Sequence, residues 1–376
     1  MRHFATNNFV SKPVKRIVRT IVAAHLCANG GNTSKSFTAR MNPPRRKRIA
    51  MNTSRVTFAI ALGLSAPVAA GAQTSLFPQT ASLCSTTVSL PSPAGRGAGG
   101  AAFGRGGPPA QSAAVEVPRL VKVKDDVYVI QNVNNTVAEI GQFGGNVTIY
   151  LTDDGVILFD SKNERTHDDI VAKVKSLTNK PIKYVVLTHN HGDHAGGAAQ
   201  MQALGATLVI SQEDREQLAR ANQPGLPQVT YHGQGQLFLG GKEVQLREYC
   251  GHTRGDTVAY LPAAGVLVAG DLVTTPDTIP QIVNYGDGGN WTDMTRTLDE
   301  LAKISFDVLV GGHGPLLTRQ EFLKHRDKVV AIRDRVRTLS REGKTQDEIT
   351  AALMKEFNYG NGPAAGQIGL MIQELK

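Results

Sequence analysis

The chain has 376 residues, 41% of them apolar and 19% charged. These values suit a globular protein with a core of its own and exclude a disordered or membrane-embedded chain. Its formal charge of +9 suggests an anionic partner only until the charge is located. The first 72 residues hold 12 Lys/Arg and no Asp/Glu, which leaves 29 basic against 32 acidic residues in the remainder. The part that must fold is mildly acidic, so the electrostatic case for nucleic acid falls.

The basic leader divides in two. From Met51, "MNTSRVTFAIALGLSAPVAAGAQ" has a short basic start, an apolar run over residues 56–70 and a small-residue end at Ala70 and Ala72. That is the layout of a secretory signal peptide cut after Ala72, and its apolar run is short for a membrane span. The alternative is a retained N-terminal anchor. Residues 1–50, acid-free and containing "RRKR" at 45–48, read as a non-native upstream extension or an extended leader, with only a weak twin-arginine signal. The expectation is an exported protein, periplasmic or secreted, without stable membrane insertion once the signal is removed.

Residues 73–114 include "PSPAGRGAGGAAFGRGGPPAQSAA", too poor in apolar area to offset its ordering entropy; they read as a disordered tether. Beyond the leader only Cys84 and Cys250 remain. An exported protein could join them, but Cys84 sits just before the Gly/Pro-rich tract at 91–114, so two free thiols are expected, with Cys250 a small buried residue.

The folded part begins near Val115 and extends to residue 317. Residues 127–133, 145–160 and 183–189 are β-branched or aromatic runs bounded by turn residues, and read as strands; "TDDG" at 152–155 is a hairpin turn. Residues 166–178 have apolar side chains at helical spacing, with Thr166 as N-cap. A small-residue helix after residue 194 leads to a strand at 207–211. Three or four strands follow over 241–271, then a helix at 291–304 and a strand at 307–314. Residues 318–376 form a helical extension, whose amphipathic helix over 319–344 docks Val329, Val330, Ile332, Val336 and Leu339 on the domain or on a second copy; a homodimer stays open. Strand groups with helices between them, in two similar halves, predict two sheets packed face to face with helices outside.

Chemistry concentrates in "VVLTHNHGDHAGG", residues 185–197. An apolar strand buries itself and emerges with His189 and His191 two apart, so their side chains lean the same way. Asp193 and His194 sit at the turn into a helix; Gly192 is expected to permit the turn, Gly196 and Gly197 a close backbone approach. Two imidazoles on one side and a carboxylate–imidazole pair on the other can hold two metal ions. His252, Asp271 and His313 each follow an apolar run and are flanked by glycine, so each emerges where a strand ends. Singly, each also reads as a turn residue.

In that order, H-x-H-x-D-H, Gly-His, Gly-Asp and Gly-His-Gly, the sequence resembles the metallo-β-lactamase-fold hydrolases over about residues 115–322. The resemblance implies an α/β fold of the αββα sandwich type. It places His189, His191 and His252 on a first metal, Asp193, His194 and His313 on a second, and Asp271 as the bridge. Imidazole and carboxylate ligands without thiolate suit Zn²⁺, two per chain, and accept Fe or Mn. The implied reaction is hydrolysis of an ester, lactone or lactam carbonyl by a metal-bridged hydroxide, with Asp193 the catalytic residue that orients the nucleophile.

Asp271 stands where β-lactamase branches usually carry Cys or Ser, and so resembles the glyoxalase- and lactonase-type enzymes. Thr274 replaces the Lys or Tyr of other branches, and no glutathione-holding basic tail is recognisable. What remains looks like the exported β-lactamase-like group acting on a small-molecule substrate. Thr274, Tyr285 and Trp291 are candidates for its pocket, against the alternative that a capped helix packs Trp291 into the core. Two further readings stay open: a β-lactamase proper, and a one-iron oxidoreductase of the persulfide dioxygenase kind. A binding module that had lost turnover would be expected to lack a ligand, and none is lost. His232 reads as a loop residue, His167 and His325 as exposed helical histidines.

Overall fold

The computed structural model describes residue 84, residues 115–275 and residues 278–376. The upstream extension, signal peptide and tether lie outside the described residues, Cys84 apart.

Two sheets carry the fold. The first has seven strands in chain order: β1 (Arg119–Lys122), β2 (Val127–Gln131), β3 (Val147–Leu151), β4 (Val156–Phe159), β5 (Ile182–Val186), β6 (Thr207–Ser211) and β7 (Val229–Tyr231). The first four pair antiparallel, β1 to β2 and β3 to β4 through short turns and β2 to β3 through a longer loop, and β4 to β7 run parallel. The second has six: β8 (Gln234–Leu239), β9 (Lys242–Tyr249), β10 (Asp256–Leu261), β11 (Val266–Thr274), β12 (Val308–His313) and β13 (Leu317–Thr318). Only β11 and β12 are parallel there, because the helix between them forms the crossover.

Side chains alternate between layers, which is why the central strands read as unbroken apolar runs rather than as a period of two. In β4, Ile157 and Phe159 face the second sheet, packing in one cluster with Val244, Leu246, Val266 and Val310. Val156 and Leu158 point the other way, towards α2 (His167–Leu177), α4 (Ala198–Ala203) and α5 (Gln212–Arg220). Two further short helices, α1 (Val137–Phe143) and α3 (Gly192–Ala195), belong to the loops of this half. The second sheet is covered by α6 (Trp291–Leu301), α7 (Arg319–Arg341), α8 (Gln346–Phe357) and α9 (Ile368–Leu375). The layering is helix, sheet, sheet, helix: the expected αββα sandwich with its helical extension. On α7, Val329, Ile332, Val336 and Leu339 are buried against this same core, so its apolar face is used within the chain. Among the described residues no helix is long and apolar enough to cross a membrane.

The cysteines correct the sequence reading. Cys84 and Cys250 form a disulfide, with Cα atoms 5.5 Å apart across 166 residues of sequence. Cys250 follows β9 directly, and both sulfurs lie beside the Arg254 carbonyl, so the fold brings together what composition around Cys84 had separated.

Candidate metal centre

Every one of the seven ligand-type residues emerges at the same edge of the two sheets. The chain leaving β5 carries His189 and His191, and α3 carries Asp193 and His194, with His191 in the N-cap position. The turn between β9 and β10 carries His252, and His313 ends β12. Asp271 lies within β11, where the register with β12 shifts between Gly270 and Thr274; such an irregularity re-aims a side chain. Gly312 lets this approach happen, because a Cβ there would overlap Asp271 Oδ1. Gly192, in contrast, has open space and ordinary backbone, so the turn does not need the glycine expected there.

The seven form two groups around one carboxylate. His191 Nδ1 is 3.1 Å from His189 Nε2 and 3.0 Å from His252 Nε2. On the other side, His313 Nε2 is 3.3 Å from His194 Nε2 and 3.1 Å from Asp193 Oδ2. Asp271 divides its oxygens between them. Oδ2 is 3.5 Å from His252 and 3.9 Å from His189, and Oδ1 is 3.2 Å from His194 and 3.4 Å from His313. All are buried except Asp193 and His191, which are partly so.

Asp193 Oδ2 and Asp271 Oδ1 nevertheless make no hydrogen bond, although nitrogens lie within 3.5 Å of both. Buried carboxylate oxygens left unbonded are costly. Closeness without bonding angle is what atoms aimed at a shared third point produce. The donor set, nitrogen and oxygen in trios whose ligand atoms lie within 4.8 Å of one another, therefore fits divalent metal ions.

Partners behind the ligands fix their orientation. Thr188 Oγ1 is 3.1 Å from His189 Nδ1, Asp160 Oδ2 is 2.8 Å from His194 Nδ1, and the Ile282 carbonyl is 3.1 Å from His252 Nδ1. His191 presents Nδ1 to the cluster and Nε2 to Asp287 Oδ2 at 3.0 Å. Asn284 Nδ2 also lies 2.7 Å from that Nε2, but a nitrogen that donates to Asp287 cannot accept. Asn284 spends its donor on the Asp287 carboxylate instead, at 2.8 Å. Carboxylate or carbonyl partners of this kind select the tautomer and raise the basicity of a ligating imidazole.

Without metal, the electrostatics split the histidines. Burial holds His189 well below its ordinary value, helped by the neighbouring imidazoles, and burial takes His252 down to about 4. Burial acts the same way on His194 and His313, but the carboxylates of Asp271 and Asp193 outweigh it. His194 ends well above the ordinary range and His313 rises to about 8. Asp193 and Asp271 are held ionised against burial by those same two imidazoles. Metal binding at the second group must therefore displace protons.

The other candidates sit elsewhere. Trp291 is fully buried, edge-on to Tyr359 at 5.8 Å, so it packs the core and lines no open pocket. Tyr285 packs against the same core and donates its hydroxyl to Glu374 at 2.7 Å. Thr274 is buried, and its backbone N–H donates to Gln281 Oε1. His232 is an exposed loop residue beside Glu248. His325 is not exposed: it is half-buried on α7, 3.2 Å from Gln281 Oε1, because Gln281 turns back to bind the Asp271 carbonyl. His167 is also half-buried. Sequence reading missed Asp160, Asn284, Gln281 and Asp287. Asp160 had a usable signal, since "VILFD" ends an apolar strand in a carboxylate just as "VLVAGD" does. "NYGDGG" reads only as a turn.

Residues 140–313 match the family model described as the metallo-beta-lactamase superfamily. The chain is 31% identical over 148 residues to a hydroxyacylglutathione hydrolase from Rhodobacter capsulatus, covering 37% of this chain and 52% of that protein. It thus spans about half the length of that relative. It is 24% identical to a beta-lactamase-like protein 2 homolog from Caenorhabditis elegans, over 61% of this chain and 75% of that one. In fold it is similar to a metallo-beta-lactamase from Pontibacter korlensis, with a TM-score of 0.50 at 22% identity over 57% of this chain and 99% of that one. The stretch that carries these ligands, residues 140–313, is a metallo-beta-lactamase superfamily domain.

Proposed function

We propose that the protein is an exported hydrolase of small acyl compounds, carrying two zinc ions and acting on an ester, lactone or lactam carbonyl. The observation that carries this reading is the divided carboxylate of Asp271, with one oxygen towards His189 and His252 and the other towards His194 and His313. Asp271 would thereby serve both ions. His189, His191 and His252 would hold the first and Asp193, His194 and His313 the second.

Bound in this way, a pair of ions supplies a nucleophile available at neutral pH and a Lewis acid for the carbonyl oxygen. The protein's own share is positional. Asp193 stays a carboxylate under the influence of His194 and His313; with Oδ2 turned towards the second metal position, its other oxygen would take a hydrogen bond from the attacking water and set its direction. Asp160 and Asp287 hold His194 and His191 by the nitrogens turned away from the cluster. The buried surroundings strengthen each of these interactions relative to water.

Two observations bear on the finer points. The hydrolase relative named above supports acyl chemistry, and the absence of a cationic side chain at Thr274 argues against a substrate carboxylate anchored there. Export is supported by the signal-like segment and by the Cys84–Cys250 disulfide, a bond that persists in oxidising compartments.

The test is metal content of the purified protein, read beside hydrolysis of a chromogenic lactone and a chromogenic β-lactam. About two zinc ions per chain, with turnover lost in Asp193→Ala, supports the reading, and the preferred chromogen begins to define the substrate. About one iron per chain with no hydrolysis overturns it in favour of the oxidoreductase.

A further inference from the structure

The segment between β11 and α6 reaches the first metal group at several points. Besides the Asp287 contact to His191 and the Ile282 contact to His252, the Asn284 N–H donates to the His252 carbonyl at 2.7 Å. The Asn290 N–H donates to the Gly251 carbonyl at 3.0 Å. Among its described residues this segment has no strand or long helix of its own, only a 3-10 turn at Tyr285–Asp287. Its position must come from elsewhere.

It comes from the last residues of the chain. Glu374, on α9, accepts four hydrogen bonds at the far end of the segment. One carboxylate oxygen takes the Tyr285 hydroxyl at 2.7 Å and the Trp291 N–H at 3.0 Å, and the other takes the Thr292 N–H at 2.8 Å and the Thr292 hydroxyl at 2.7 Å. The two amides belong to the first turn of α6, where N–H groups have no partner within the helix and an anion is favoured. Nearer the site, Gln367 Oε1 accepts from the Val283 N–H at 3.1 Å, and the Tyr359 hydroxyl donates to the Gln281 carbonyl at 3.1 Å. Three residues beyond α8 therefore grip the segment along its length, and all lie outside residues 140–313.

We propose that Glu374 is a positioning residue of the metal centre: it holds residues 282–292 against His191 and His252, so that the C-terminal helix sets the affinity of the first metal position. This rests on the two-metal reading above. A glutamine at 374 would keep the size of the side chain but turn an NH2 group towards one amide N–H and one hydroxyl; the amide bond is lost outright, the hydroxyl can only turn round to accept, and the charge that strengthens all four bonds is gone.

The experiment compares wild type, Glu374→Gln and, as control, Glu356→Gln, which removes only an exposed ion pair between α7 and α8. Zinc affinities are measured by competition with a chromophoric chelator, amide exchange of residues 284–292 is followed in the metal-free proteins, and melting temperatures are recorded. In Glu374→Gln the first ion is expected to bind about tenfold more weakly with the second unchanged, exchange in the segment to quicken, and kcat to recover at saturating zinc. Glu356→Gln should match wild type. Unchanged affinities and exchange in Glu374→Gln overturn the proposal, as does an equal loss at both ions accompanied by a lower melting temperature. If Glu374→Gln fails to fold, Tyr285→Phe removes one bond from the same carboxylate and is read in the same way. A wild-type protein that binds no zinc refutes the metal reading itself. Exchange that still quickens in Glu374→Gln would then show the brace standing apart from that failure.

Discussion

Replacing Asp287 by alanine isolates the contribution of a single carboxylate behind the metal ligands. Asp287 Oδ2 is 3.0 Å from His191 Nε2 and accepts from Asn284 at 2.8 Å and from Asn190 at 3.3 Å. The carboxyl is held below its usual range, because hydrogen bonding and attraction from His191 overcome the opposing effect of burial. It is thus ionised when His191 must donate from Nε2 and leave Nδ1 bare for a metal. Removing it deletes the charge-assisted hydrogen bond to His191, worth about 1.5–3 kcal/mol, together with those from Asn284 and Asn190, and leaves the tautomer of His191 unbiased. Loss of such a partner weakens metal binding by about 10–100-fold, or about 1.4–2.7 kcal/mol, which agrees with the bond lost. Titrating metal-free protein with zinc against a chromophoric chelator should show the first ion weakened by that factor and the second close to wild type. Full affinity at the first ion in Asp287→Ala would refute the assignment of Nδ1 as the ligand atom. Selective loss of the second ion would refute the partition of ligands between the two groups.

Other perturbations test other parts of the molecule. Gly312→Ala would place a Cβ on Asp271 Oδ1. The carboxylate must then rotate out of its bridging position, and elemental analysis should find less than the wild-type metal content; a full complement would sink the bridge. Cys84→Ser opens the loop closed to Cys250 and should lower stability by about 2–4 kcal/mol in non-reducing denaturant titrations, with no difference once wild type is reduced. A Cys84→Ser protein as stable as oxidised wild type would contradict the pairing. Burial and the charge of Lys328 bring His325 down to about 4. The folded state then binds fewer protons than the unfolded state between that value and about 6.5. Its contribution is present in full above pH 6.5 and is lost as pH falls towards 4. Wild type should therefore lose about 2–3 kcal/mol more than His325→Gln between pH 7.5 and 4; parallel stability curves would contradict the burial of that ring.

The sequence and the structure agree best where burial is simplest. The strand at 207–211 was legible because β-branched residues run between a glycine and a helix cap, and it is found as β6. Among the ligand-type residues, His252, Asp271 and His313 were legible because each follows an apolar run at a strand end, and His189, His191, Asp193 and His194 because of their close spacing after the strand at 185–187. What was missed lacked such contrast. β7 and β8 are edge-lying and half exposed, so their apolar content is diluted. α1 begins with a capping box of Thr136 and Glu139 but has only seven residues, too few for a period to emerge. α9 is apolar yet follows a run of Gly and Pro that reads as chain end. Asp287 and Glu374 act through partners more than 80 residues away in sequence, and local pattern carries no trace of them.

If the proposed ions bind, their ligands would also tie the two sheets to each other. His189, His191, Asp193 and His194 leave the first sheet, while His252, Asp271 and His313 belong to the second. In the proposed two-ion arrangement neither position would use one sheet alone: His252 would join the first pair, and His313 the second. The apolar layer between the sheets is non-directional and would tolerate small slides of one against the other. The ligand geometry would not, because bond lengths to a metal vary by only about 0.2 Å. Metal bound to the folded state should stabilise it by mass action, and its particular effect is to fix the offset of the two sheets. The Cys84–Cys250 bond, two residues from His252, and the C-terminal helices, through residues 281–292, act on the second-sheet side of that same boundary. Both covalent and helical restraints thus converge on the turn that carries His252, the one ligand the second sheet supplies to the first group besides the shared Asp271.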